Sequence, residues 1–192
     1  MSEMVKKYHV ALFIKDDNDN WVRVKKSTAF ELSLNPETQD YDYLTDQNPT
    51  TELLRYKPSL SQAITMYKDE PDYEIVFSKF YKLDTGSQAK TDILIVFMLM
   101  GDSTNGYKAW KNEAVLTVQS MNTVDSTITV DINFGGTIER GTCLPDPTTH
   151  APVFTRDASG ESGWVDPFEA PAESTSETDG ETTETDGETT EP

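Results

Sequence analysis

Alternation of apolar and polar positions runs through much of the chain and predicts strands. Tyr8, Val10, Leu12 and Ile14 alternate with His9 and Ala11; Phe30, Leu32 and Leu34 alternate with Ala29, Glu31 and Ser33. Ile128, Val130, Ile132 and Phe134 alternate in the same way with Thr127, Thr129, Asp131 and Asn133. Successive side chains of a strand point to opposite faces, so each run sets an apolar row against a core and a polar row outward. Less regular strands are expected at 20–26, 60–67 and 113–121.

One segment has a different period. Between Asp69 and Gly86 the residues Tyr73, Val76, Phe77, Phe80 and Tyr81 fall at i, i+3, i+4, i+7 and i+8, a single face at 3.6 residues per turn. The spacing predicts an amphipathic helix over about 70–83, with Asp69 as its cap, Pro71 in its first turn and Gly86 as its stop. The fold class is therefore mainly β with one flanking α-helix, which closes one end of a sheet core.

Two stretches fit this pattern less simply. Ile93–Met100 is apolar on both faces, with Ile93, Ile95, Phe97 and Leu99 on one and Leu94, Val96, Met98 and Met100 on the other. Such a strand must be covered twice. Either it is a central strand under the helix, or another subunit buries its second face. Residues 35–58 form a long arm between predicted strands, punctuated by Pro36, Pro49 and Pro58 yet carrying Tyr41, Tyr43, Leu44, Leu53, Leu54 and Tyr56. Connections beyond about 12–15 residues are usually functional or disordered, and this apolar content argues against disorder. The expected burial partner for the arm is a neighbouring copy of the chain.

Length and charge divide the chain. Its 192 residues suffice for one ordinary core plus an appendage. The net charge of −18 is uneven: residues 1–150 hold 15 Lys/Arg and 22 Asp/Glu, whereas residues 151–192 hold 1 and 12. The expected organisation is a β domain over 1–144 and an acidic low-complexity extension over 145–192, which ends in the repeat ETDGETT at 177–183 and 184–190. So little apolar surface cannot offset the entropy of ordering, so the extension is expected to be disordered. Val153, Phe154 and Trp164 to Phe168 stand within it either as docking anchors or as incidental linker aromatics.

Chemistry is sparse. An EF-hand loop starting at Asp16 needs Gly at its sixth place and Glu at its twelfth, where the chain has Trp21 and Ser27, so Asp16–Asn20 is expected to be a turn. The segment GDSTNG at 101–106 lacks the Lys-Ser/Thr ending of a phosphate loop. Neither His9 nor His150 sits in the setting of a nucleophile or a metal cluster. No catalytic, cofactor-binding or metal-binding residue is assigned, and the chain is not expected to be an enzyme. Cys143 is the sole cysteine, which excludes an intramolecular disulfide. An acidic body with scattered lysines disfavours non-specific nucleic-acid binding but suits a surface that DNA must slide past. No apolar run approaches the roughly 20 residues of a spanning helix, and the N-terminus is unlike a signal peptide, so synthesis and assembly in a reducing cytoplasm, without a membrane, are expected.

The stretch FELSLNPETQDYDYLTDQNPTTELLRYKPSL, from Phe30 to Leu60, taken with ITVDINFGGTIERGT, from Ile128 to Thr142, resembles the major tail (tail tube) proteins of long-tailed bacteriophages of Gram-positive bacteria. The resemblance covers about residues 5–143. It implies a β-sandwich or barrel-like subunit with a long inter-strand arm. Six copies would close into a ring whose inner strands form a continuous β-barrel, and stacked rings would make the tube that conducts DNA during ejection. The implied partners are further copies of the chain together with tape-measure, tail-tip and tail-terminator proteins, while genomic DNA passes the lumen without specific binding. The implied location is the virion tail. The interface residues expected on this basis are Tyr41, Tyr43, Leu44, Leu53, Leu54 and Tyr56 of the arm and Ile93, Ile95, Phe97 and Leu99 of the doubly apolar strand. Two other readings remain open: a β-sandwich binding module on an acidic stalk, and the tube protein of a contractile injection device.

Overall fold

The computed structural model describes residues 6–44 and 47–157. A short 3-10 turn, Lys7–His9, leads into β1 (Val10–Lys15), β2 (Trp21–Arg23), β3 (Ser27–Ser33), β4 (Pro36–Tyr41), β5 (Thr50–Tyr56) and β6 (Ser59–Thr65). Then come α1 (Pro71–Lys82), β7 (Lys90–Asp102), β8 (Gly106–Asn122), β9 (Thr127–Phe134), β10 (Glu139–Pro145) and β11 (Pro152–Arg156). Among the described residues the protein is mainly β with one α-helix.

One antiparallel sheet runs β2-β1-β7-β8-β9-β6-β3, with β10 added to β8 and β11 to β10. The 17-residue β8 is its spine. On one side β8 pairs with β7; on the other it pairs first with β10 over Tyr107–Lys111 and then with β9 over Ala114–Asn122. Gly135 and Gly136 thus carry the chain from β9 to β10 along the same side of β8, and the two strands do not pair with each other. The gap between them is closed by buried Asn112. Its Nδ2 donates to the carbonyls of Gly135 (2.6 Å) and Thr137 (3.1 Å), and its Oδ1 accepts from the Gly135 N–H (3.1 Å). A side-chain amide here replaces the ladder bonds that β8 loses between two partners.

The sheet buries both of its faces around β7. One face carries the larger core, in which Leu12, Ile14, Ile93, Ile95, Leu116 and Ile132 pack with Val76 of α1. The other carries a smaller cluster of Ala11, Leu94, Val96, Ala109 and Cys143, against which Phe154 of β11 packs. Ile93 and Ile95 are 0% exposed. This corrects the expectation that they lie at an assembly interface: the helix side and the β10–β11 flap cover β7 twice within one chain. Phe97 is half-buried and edge-on to Trp110, and only Leu99 and Met100 at the end of the run are exposed.

Several boundaries differ from the sequence expectation for local reasons. The cap of α1 is Glu70, because Asp69 is in the left-handed region at φ 69°. The helix ends at Leu83, also left-handed (φ 52°), whose turn lets Asp84 N–H donate to the Lys79 carbonyl at 3.3 Å, so Gly86 is not the stop. Of the predicted helix face, Val76 is buried but Tyr81 is exposed, and Ile75 packs against the core instead. Tyr8 precedes the first strand and is exposed, and Phe30, on the core-facing row of β3, is still 41% exposed because β3 is the edge of the sheet. Past residue 144, where the sequence places the end of the ordered domain, the chain adds β11, whose Phe154 lies over Gly141. A Cβ on Gly141 would come within 2.8 Å of that ring. Trp164 to Phe168 and the ETDGETT repeat lie outside the described residues.

Asp72 fastens the helix to the sheet. Buried at the start of α1, its Oδ2 accepts from the backbone N–H groups of Lys25 (2.9 Å) and Lys26 (3.2 Å), while its Oδ1 accepts from Tyr73 N–H (2.9 Å). Two donors of the β2–β3 link and one orphan donor of the helix are satisfied by one carboxylate.

Candidate assembly interface

The arm is a β-hairpin that stands off the main sheet. β4 and β5 pair only with each other, from Pro36 opposite Tyr56 to Tyr41 opposite Thr50. Six paired residues reach about 20 Å at the usual rise per residue. Prolines set its limits: Pro36 opens β4, Pro49 precedes β5, and Pro58 separates β5 from β6, each lacking the N–H that would extend a ladder. At the base, Asn35 adopts φ 43°, a left-handed conformation that Asn tolerates better than most residues. Its Nδ2 donates to the Lys57 carbonyl (3.0 Å) and Ser59 Oγ (2.9 Å), while Lys57 N–H donates to the Leu34 carbonyl (3.0 Å). The base is pinned; all of β5 and most of β4 are exposed.

A register shift decides what the arm presents. Glu37 lies opposite Arg55, but Thr38 lies opposite Leu53, so Leu54 is an extra residue, a β-bulge. Without it Leu53 and Tyr56, three apart, would point to opposite faces; with it both fall on the face of Thr38 and Pro36. Leu53 and Leu54 are each 50% exposed, Tyr56 53% and Tyr43 49%, and Leu44 is fully exposed. Tyr41 is half-buried because its ring stacks on Tyr43, with centroids 5.9 Å apart and planes 9° apart. All six arm residues named from the sequence are therefore on one hairpin, and five of them are exposed. On the opposite face Glu37 pairs with Arg55 and, at 3.0 Å, with Lys57. Hydrogen bonds from Arg55 and then Lys57 hold its carboxyl below the usual glutamate range.

Sequence reasoning missed the bulge and Asn35. The only advance signal for the first was that Leu53 and Tyr56 are out of step by one. Asp16–Asn20 is a turn: Asp16 Oδ1 accepts from the N–H groups of Asn18 and Asn20, both at 2.8 Å. Asp102 makes the corresponding bonds to Thr104 and Asn105 in the β7–β8 connection. Among the described residues no group of three or more His, Cys, Asp or Glu is placed to hold a metal ion, and no helix is long and apolar enough to cross a membrane. Burial raises the Cys143 thiol to about 11, which keeps it protonated and unreactive at neutral pH.

No family model matches the chain, and no curated protein matches it. Among solved structures it is similar to a protein from the tail of an empty gene transfer agent particle refined helically with C6 symmetry. The identity is 14% over 70% of this chain and 97% of the other, with a TM-score of 0.52. It is also similar to a chain of the native gene transfer agent virion (17% identity, 71% and 98% covered, TM-score 0.49). A third similar chain comes from the cap that terminates the tube of the anti-feeding prophage (12%, 74% and 93%, TM-score 0.48). At these identities the likeness is one of fold, and the first of the three carries it: the described domain has the fold of a particle-tail subunit.

Proposed function

We propose that this chain is the structural subunit of a phage-type tail tube, assembled from copies of itself into stacked six-membered rings through which DNA leaves the particle. The observation that carries the reading is the hairpin arm, a pinned base with an exposed apolar face that its own body does not cover. The shared fold with a subunit of a C6-symmetric tail supports it. A head-to-tail contact closes as a ring in the plane and repeats along the axis, which is what a tube requires. The arm reaches a copy in the same or the adjacent ring. The ends of the tube meet tape-measure, tail-tip and tail-terminator proteins, and the work is structural rather than catalytic, located in the virion tail.

Negative-stain microscopy of the purified protein, alone and with its tail-tip complex as nucleus, tests the reading. Rings or tubes with an axial channel are expected. Particles whose axial tube contains no copy of this chain would overturn it.

A further inference from the structure

The connection between β7 and β8, GDSTNG at 101–106, holds the only Asn-Gly pair of the chain, Asn105–Gly106. The glycine is dictated by the fold. Gly106 adopts φ 92°, and a Cβ there would lie 3.0 Å from Thr142 Cβ of β10. On the facing strand Gly101, at φ 107°, passes so close that a Cβ on it would collide with the Gly106 carbonyl. A side chain at 106 is thus excluded, and Asn105 stands exposed in front of it.

Such a pair carries a chemistry of its own. The backbone nitrogen that follows an asparagine can attack the asparagine Cγ: the nitrogen gives up its proton, the new N–Cγ bond forms, and Nδ2 leaves as ammonia. Water then opens the five-membered imide at either carbonyl, leaving aspartate or isoaspartate. Glycine is the most permissive residue to supply the nitrogen, because no Cβ hinders the approach. For the bond to form, Asn105 must swing its side chain over the Gly106 nitrogen.

Asp102 opposes that swing. Its Oδ2 accepts from Asn105 Nδ2 at 2.9 Å, and its Oδ1 accepts from the backbone N–H groups of Asn105 and Thr104, both at 2.7 Å. The leaving group and the backbone of Asn105 are both gripped by one carboxylate. Gly106 is meanwhile fixed opposite Asp102 in the β7–β8 ladder. The backbone bond from Asn105, then its side-chain bond, hold the Asp102 carboxyl below the usual aspartate range, so the grip is in place at the neutral and alkaline pH that favours attack.

We propose that Asn105 is a site of spontaneous deamidation held in check by Asp102, whose carboxylate keeps the Asn105 Cγ away from the Gly106 nitrogen. The inference stands apart from the tail-tube reading. At about a fivefold bias for each hydrogen bond that must open, the two bonds to Asn105 slow the reaction about 30-fold. Once it occurs, the change weakens the turn that restrained it. Aspartate at 105 brings a second carboxylate to the place from which Nδ2 donated to Asp102. Isoaspartate adds a main-chain carbon to a turn that Gly101 and Gly106 close without room to spare. Either product loosens the tip that adjoins exposed Leu99 and Met100.

The test follows Asn105 by mass spectrometry. Trypsin releases residues 91–108, in which Asn105 is the only asparagine, so the mass gained when its amide becomes an acid reports this site alone. The full chain is aged at mildly alkaline pH, folded in buffer and unfolded in guanidinium. The folded chain should deamidate about 30-fold more slowly than the unfolded one, and Asp102→Ala, with its circular dichroism unchanged, should approach the unfolded rate. Asp102→Asn keeps an oxygen for the backbone N–H groups but loses the acceptor for Asn105 Nδ2, and its rate should fall between. If Asp102→Ala does not fold, this second variant decides. Equal rates in the folded and unfolded parent chain, or a folded Asp102 variant that deamidates no faster than the parent, would overturn the proposal.

Discussion

Replacing Tyr43, Leu53 and Tyr56 together by Ser separates an assembly arm from an ordinary loop. Each of the three is about half exposed. Covering the exposed half of a tyrosine removes about 100 Å² from water, worth about 2 kcal/mol at about 25 cal/mol per Å², and the exposed half of a leucine is worth about 1 kcal/mol. The gross loss is about 5 kcal/mol per arm. Ordering the hairpin against a partner costs part of that, so the net change is about 3–5 kcal/mol, a rise of about 100- to 4,000-fold in the concentration needed to assemble. Tyr41 is left in place, because its ring is already half covered by stacking.

The fold of the single chain should not change, since β4 and β5 pair only with each other and none of the three residues belongs to either core cluster. Circular dichroism and chemical denaturation read the body; sedimentation velocity and microscopy read assembly. Loss of the folded body would show that the arm belongs to the monomer's core. Assembly at an unchanged concentration would show that it is only a loop. Either result refutes the reasoning.

Asp72→Ala removes the acceptor of the Lys25, Lys26 and Tyr73 N–H groups at a partly buried site and should cost about 1–3 kcal/mol in denaturant unfolding, with an unchanged m-value. Truncation after Asp157 should leave stability unchanged, because every described strand is kept. Truncation after His150 removes β11 and uncovers the cluster around Leu94 and Cys143, which should then react with thiol reagents at pH 8 where the full chain does not. Asp16, Asp102 and Asp146 are held below the usual aspartate range, chiefly by backbone N–H bonds from Asn20, Asn105 and Thr149 respectively. A depressed folded value stabilises above the unfolded value and is lost as pH falls through the folded one, so denaturation midpoints should be level from pH 7 to about 4 and decline below that.

What could be read from sequence was what depends on near neighbours. The alternation Ile128–Phe134 is β9, and the 3.6-residue period around Val76 is α1, because each pattern is a direct image of a face packed on one core. The full length of β8 was hidden, since Tyr107–Lys111 faces β10 with Lys108 and Lys111 and so lacks apolar alternation. β11 was hidden by proline-rich surroundings; its worth lies in Phe154 meeting Gly141, a contact between residues far apart in sequence. For β7 the pattern demanded two covers without naming them, and the structure supplies both from the same chain.

That last point bears on the arm. If β7 had needed a neighbour for its second face, assembly would rest on a surface that a free monomer must expose at its centre. Because β10 and β11 cover that face, the free chain keeps its most apolar strand dry. Its exposed large apolar side chains then include Tyr43, Leu44, Leu53, Leu54 and Tyr56 of the hairpin, Phe30 and Leu34 at the β3 margin and Leu99 and Met100 at the end of β7, with Tyr8, Tyr67, Tyr81, Leu83, Val124 and Val153 exposed singly or in pairs elsewhere. None of the hairpin's side chains belongs to either core cluster, and the bulge at Leu54 brings Leu53 and Tyr56 to the same side rather than to opposite ones. On the proposed reading such a chain would fold first and associate second, since both core clusters are complete within one copy.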